Sequence, residues 1–172
     1  MPHGNPISQK PWVINGTKGL YLDRTGVGWG LFTARRIAQG HEVLRFQGPT
    51  LTLLQTLALG PWSMYPIQVG NDCFIDCECP GAFVNHACDP SCAVRDLDHL
   101  VALRNLEPGV EITMQYSCSM LNDPERLECR CGSRECLGII GNFTELPLNI
   151  QRKCIRRKMV SSFILDQLKV KK

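Results

Sequence analysis

Phe83-Val84-Asn85-His86-Ala87-Cys88-Asp89-Pro90-Ser91-Cys92 is the stretch on which the reading of this chain turns. It places an amide, an imidazole and two thiols close together among apolar neighbours, so that several directional hydrogen bonds and a soft metal ligand fall within one small volume. A histidine in such a setting usually serves as a satisfied core residue. Its meaning here depends on what stands upstream and downstream.

The frame is one domain. The chain has 172 residues, 44% of them hydrophobic, enough to bury a core unaided. Nineteen Lys and Arg against 16 Asp and Glu leave a net charge of +3, too little for a protein that wraps nucleic acid. No apolar run reaches the length of a membrane helix, since Thr and Gln interrupt Leu51–Leu59. The opening MPHGNPISQK has no apolar segment of the secretory kind. An intracellular protein is expected, in nucleus or cytoplasm, with no membrane partner. There the ten cysteines, all from Cys73 onward, are metal ligands or buried thiols and not disulfides.

Upstream, the chain reads as short strands with tight punctuation: Gly19–Asp23, a Gly-rich turn over Arg24–Gly30, then Leu31–Ile37. Glu42–Gly48 is a further strand, and Thr50–Leu59 a short helix stopped by Gly60-Pro61. Tyr65–Asp76 reads as a hairpin about Gly70-Asn71. His99–Asn105 and Val110–Tyr116 are strands joined by Leu106-Glu107-Pro108-Gly109. Residues 117–141 are rich in Cys, Gly and Arg without apolar periodicity, which suggests a metal-held knuckle. From Pro147 onward, Ile150, Cys154, Ile155, Met159, Phe163 and Leu168 fit one face of a helix whose basic residues Arg152, Lys153, Arg156, Arg157 and Lys158 fall mostly elsewhere.

Three further pieces carry chemistry. Gly26-Val27-Gly28-Trp29-Gly30 has glycines on alternate positions, which permits either a tight bend or a close backbone approach to a ligand. Glu111-Ile112-Thr113-Met114-Gln115-Tyr116 is a strand ending in a tyrosine. Cys129-Arg130-Cys131-Gly132-Ser133-Arg134-Glu135-Cys136 supplies three thiols, one short of a closed tetrahedral zinc site.

Taken in this order over residues 17–141, the four pieces resemble the SET-domain protein lysine methyltransferases together with their post-SET zinc segment. The resemblance implies a mainly β SET fold with short helices: small curved sheets around a pseudoknot, followed by a Cys-rich post-SET segment and a C-terminal helix. It implies a lead-in over 1–16, the SET domain over 17–117, the post-SET segment over 118–141 and a helical extension over 142–172. It further implies transfer of a methyl group from S-adenosylmethionine to the side-chain amine of a lysine in a protein, with a histone as the natural candidate. Tyr116 takes the catalytic position. Val27, Gly28, Trp29, Tyr65, Asn85 and His86 take those of the cofactor pocket. Cys88 joins Cys129, Cys131 and Cys136 around a structural zinc ion.

Departures from the family pattern matter too. Ala82 stands where an Arg is common, so a contact to the cofactor carboxylate is lost or passes to Arg130. Gln115 replaces the usual Asp, and Phe46-Gln47-Gly48 lacks a tyrosine hydroxyl in the lysine channel. With Met114 in place of a ring, this points to di- or trimethylation. Cys73, Cys77 and Cys79 could hold a second zinc with Cys92, but Cys73 and Cys77 lie in strand-like sequence and read more readily as small hydrophobes. Two competing functions stay open: a catalytically silent SET fold that binds proteins, supported by Ala82, Phe46 and Gln115, and a methyltransferase for small amines, supported by the short insert between Gly48 and Asn85. No direct nucleic-acid contact is expected, because basic residues gather only in the C-terminal segment, and the oligomeric state is left open.

Overall fold

A computed structural model describes residues 12–13, 19–63 and 65–170, so most of the expected lead-in over 1–16 lies outside the described residues. Numbered along the chain, the strands are β1 (Trp12–Val13), β2 (Leu20–Thr25), β3 (Gly28–Thr33), β4 (Glu42–Arg45), β5 (Thr50–Leu51), β6 (Ile67–Gly70), β7 (Cys73–Ile75), β8 (Asn85–His86), β9 (Cys92–Arg95), β10 (His99–Ala102), β11 (Glu111–Met114), β12 (Leu127–Glu128) and β13 (Ile139–Ile140). The α-helices are α1 (Leu53–Leu57), α2 (Leu148–Arg156) and α3 (Ser162–Val170). Strands dominate and helices are short, as the sequence predicts.

The strands form small sheets in the orders β1-β2-β3-β11-β8, β4-β10-β9, β5-β7-β6 and β12-β13. The β2–β3 hairpin closes on Gly26-Val27 alone, because Gly28, Trp29 and Gly30 pair with Thr25, Arg24 and Asp23. The Gly-rich turn is thus narrower than the sequence suggests. A two-residue loop matches the twist of its strands, and Gly28 supplies a φ of +124° at the exit.

β11 decides the site. It lies antiparallel to β3 and parallel to β8, with Thr113 opposite Asn85 and Met114 opposite His86. Parallel neighbours need a crossover, and here the β9–β10 hairpin lies within it. The Asn-His pair therefore lies beside the strand that leads into Tyr116.

Two apolar clusters hold this arrangement. The first joins the sheets through Leu31, Leu100, Leu106 and Ile112, all at 0% exposure. The second packs the C-terminal segment through Phe143 and Ile164, also at 0%. Helix α1 begins with a capping box in which Thr52 and Gln55 satisfy each other's backbone amides.

The C-terminal segment forms two helices in place of the single one read from periodicity. After Arg156 the chain makes a Schellman turn: Lys158 N–H donates to Ile155 O and Met159 N–H to Cys154 O. Lys158 takes the left-handed position with φ +53°, where glycine is usual, so the sequence carries no stop signal. The break resets the helical phase and turns Ile164 fully inward, while Ile155 stays 43% exposed.

Candidate active site and metal-binding group

Asn85 is the first hub. Its Nδ2 donates to Trp29 O at 3.0 Å and to Glu111 Oε1 at 2.9 Å, joining β8 to β3 and β11. Both amide hydrogens are thus used internally, and among the described residues Oδ1 has no donor. Gly30 permits the junction: a Cβ there would stand 2.6 Å from Glu111 Oε1 and 3.0 Å from Asn85 Nδ2. At Gly28, by contrast, a Cβ would meet nothing within 4 Å, leaving bare backbone beside open space. Trp29 is held from its ring face by Arg24, 4.1 Å from the centroid, while Val27 is 54% exposed at the turn.

Tyr116 is the second hub. Its hydroxyl donates to Val84 O at 2.7 Å, and its ring meets that of His86 edge-on at a centroid distance of 5.3 Å. Burial, with smaller contributions from Cys77, Tyr65 and Glu111, pushes the phenol far above its ordinary range. It is a neutral phenol at any physiological pH. The backbone N–H of Tyr116 donates to His86 Nδ1 at 3.2 Å, and burial lowers His86 to about 4, so the imidazole is neutral as well.

A cleft of about 180 Å³ opens over these groups. Phe46, Cys77, Val84, Met114 and Tyr116 supply its apolar wall, and Asn85 reaches it from the side. Burial raises the Cys77 thiol to about 11, so this group too is uncharged. Tyr65, which leans on Trp62 at a ring distance of 5.7 Å, stands half-exposed at the rim. Asp123 and Glu125 also line the cleft. Ser63 Oγ–H donates to Glu125 at 2.9 Å, and Glu125 N–H to Asp123 at 2.8 Å.

A short step away lies the cysteine group. Ligand atoms of His86, Cys88, Cys129 and Cys131 all fall within 4.8 Å of one another, so the group can hold a metal ion. Cys88 Sγ and Cys129 Sγ are 3.7 Å apart. Two thiolates on one tetrahedral zinc, with Zn–S of about 2.3 Å, stand about 3.8 Å apart, so the spacing fits. Burial raises Cys131, but its backbone amide bonds and the neighbouring thiols outweigh this and bring it down to about 7. Cys129 is raised, chiefly by burial. Crowded sulfurs competing for few protons are the natural precursor of a metal-thiolate site.

Of the residues singled out in the sequence, Trp29 is hydrogen-bonded to Asn85 and His86 to Tyr116, and Tyr65 lines the same cleft as Asn85 and Tyr116. Cys88, Cys129 and Cys131 converge. Cys136 sits at their edge, its Sγ 3.7 Å from Cys129 O. Arg130 is not drawn in: it is largely exposed and bound to Glu128 Oε2 at 2.5 Å. Asp123 and Glu125 sit in a segment with no period and carry no sequence signal, whereas Cys77, read as a small hydrophobe, packs in the apolar wall of the cleft.

The fold and these contacts define a SET-domain protein. The SET-domain family pattern matches residues 28–117, just over half of the chain, and the chain belongs to that family. It is 32% identical over 134 residues to the histone-lysine N-methyltransferase ash1 of Drosophila melanogaster, covering 69% of this chain and 6% of that protein. It is 28% identical over 130 residues to the H3 lysine-4 specific histone-lysine N-methyltransferase of Saccharomyces cerevisiae, covering 65% of this chain and 12% of that one. The H3 lysine-36 specific enzyme of Mycosarcoma maydis is 36% identical over 76 residues, 40% of this chain and 8% of its own. The chain thus spans a small fraction of these relatives. Among the described residues, no helix is long and apolar enough to cross a membrane.

Proposed function

We propose that this chain is an S-adenosylmethionine-dependent protein-lysine N-methyltransferase with a structural zinc ion. The observation that carries the reading is the burial of a neutral Tyr116 hydroxyl, fixed on Val84 O, in an apolar cleft beside Asn85. The bare backbone at Gly28 and the unused Oδ1 of Asn85 fit a cofactor that brings its own hydrogen-bonding groups. When bound, that cofactor supplies the methyl group on a sulfonium.

Orientation is the main demand of such an in-line transfer. The lysine amine must enter without its proton, although its ordinary pKa is about 10.4. The apolar wall of Phe46, Cys77, Val84 and Met114 favours the neutral amine by desolvation. Tyr116 is no base, because its proton is committed to Val84 O. Its oxygen lone pairs are the groups left to align the amine and to contact the polarised methyl. Asp123 and Glu125 put carboxylates at this cleft, which suits a substrate rich in Lys and Arg, as a histone tail is. Phe46, lacking a hydroxyl, leaves room for more than one methyl. Cys88, Cys129, Cys131 and Cys136 would hold the zinc. A histone substrate would place the work in the nucleus.

The test is transfer of labelled methyl from S-adenosylmethionine to histones and to a cell extract, comparing wild type with Tyr116→Phe. Label on a protein band that disappears in the variant supports the reading. Cofactor binding without transfer to any protein overturns it, in favour of a silent binding module or of an enzyme for small amines.

A further inference from the structure

Resting on the zinc reading above, we propose that His86 is a positioning residue that stands outside the metal shell, donating Nε2–H to the Cys88 sulfur while its Nδ1 holds the backbone of Tyr116. The Tyr116 amide can only donate, so the His86 Nδ1 it meets at 3.2 Å must present a lone pair. A neutral imidazole carries one N–H, and that proton is therefore on Nε2. Nε2 lies 3.3 Å from Cys88 Sγ, the length of an N–H···S hydrogen bond.

Metal binding through Nε2 needs the opposite tautomer. The proton would move to Nδ1 and face the Tyr116 N–H, donor against donor. Spacing agrees with the first arrangement. Nitrogen and sulfur sharing a tetrahedral zinc stand about 3.5–3.6 Å apart, from Zn–N of about 2.0–2.1 Å and Zn–S of about 2.3 Å. The observed 3.3 Å is shorter than that, while the 3.7 Å between Cys88 and Cys129 sulfurs matches a shared ion. Leu137 N–H also donates to Cys88 Sγ at 3.3 Å, so this sulfur collects two donors, the pattern of a thiolate ligand. The fourth ligand position then falls to Cys136.

The consequence is a continuous chain from Tyr116 N–H through the imidazole to the metal-bound sulfur. The parallel register of β8 and β11 holds the ring in place, with His86 opposite Met114. Occupancy of the metal group and the setting of Tyr116 become one property.

Two variants separate the two ends of the ring. His86→Asn keeps an acceptor near the Nδ1 position and loses the donor to Cys88. His86→Gln reaches the Nε2 position and loses the acceptor for Tyr116. Zinc affinity, measured by competition with a chelator, should fall about 10- to 100-fold in His86→Asn and stay within a few-fold of wild type in His86→Gln. The thiolate-to-cobalt absorption of the Co²⁺-loaded protein should shift in His86→Asn alone. In the ¹⁵N spectrum of the cadmium-loaded wild type, Nε2 should carry the proton and show no coupling to ¹¹³Cd. Coupling at Nε2, or a zinc affinity untouched by His86→Asn, overturns the inference while the metal reading stands. Failure of the wild type to take up zinc or cobalt overturns both. None of these readouts depends on turnover.

Discussion

Gly30→Ala adds one methyl group at the crowded junction of β3, β8 and β11. The new Cβ would lie 2.6 Å from both Glu111 Oε1 and Thr25 Cγ2, and 3.0 Å from Asn85 Nδ2. Crowding of this kind costs about 1–3 kcal/mol. If Asn85 yields, its hydrogen bond to the Glu111 carboxylate goes too, worth about 1.5–3 kcal/mol. The two losses share atoms and do not add fully, so about 2–4 kcal/mol is expected. For a chain of this size that lowers the melting temperature by about 5–15 °C. Affinity for S-adenosylmethionine should fall at least about tenfold, since Asn85 and the Trp29 carbonyl move apart. Gly26→Ala is the control: a Cβ there meets nothing within 4 Å, and its effect should stay within about 0.5 kcal/mol. Calorimetric titration and thermal melts of both variants decide the matter. If Gly30→Ala matched Gly26→Ala in both, the account of this junction would be wrong.

Other expectations follow from other contacts. Tyr116→Phe removes one neutral hydrogen bond, so stability should drop by only about 0.5–1.5 kcal/mol in a urea titration, while methyl transfer should fall far more steeply. Phe46→Tyr adds a hydroxyl to the apolar wall and should shift the product mass spectrum towards fewer methyl groups per lysine. Glu145 is held below the usual carboxylate range by hydrogen bonds from Asn142 and by Arg126, so its contribution to stability is complete above about pH 4.3 and is lost as pH falls through the lower folded value. The gap between wild type and Glu145→Gln in urea midpoint should therefore close in acid. Arg36→Gln, Arg130→Gln and Lys169→Gln should each change stability by less than about 1 kcal/mol in a urea titration, because Arg36–Glu107, Arg130–Glu128 and Lys169–Asp166 are all largely exposed pairs.

Sequence pattern and structure agree best where spacing carries chemistry. The β2–β3 hairpin, the strand leading to Tyr116 and the thiols at 129 and 131 are legible because turn residues, alternation and Cys spacing each have one dominant physical meaning, although the strand stops at Met114 and Tyr116 opens a 3-10 turn in place of ending it. Pairing across the crossover was not readable in that way. Nothing local in Asn85-His86 states that it runs parallel to Thr113-Met114; the resemblance to a family implies a pseudoknot and a shared pocket, but not this pairing. The split of the C-terminal segment was hidden for a different reason. Lys158 takes a left-handed conformation with no glycine to announce it, and tertiary packing of Met159 and Ile164 overrides the helical period. The acidic pair Asp123 and Glu125 shares this illegibility, since its meaning comes only from where the cleft opens.

Cys88 and Cys129 are 41 residues apart in sequence, and the segment between them contains β9, β10, β11 and Tyr116. An ion held by both sulfurs would act as a clasp on a polymer, and the ensemble it restricts most is the unfolded one. Closing a loop of that length removes chain entropy worth about 4 kcal/mol. By mass action the folded fraction would then track the free metal concentration, with half-saturation set by the clasp and not by the cleft. If that ion is zinc, its removal should show first as a lower stability of the whole domain, and only through that as a change at the cleft.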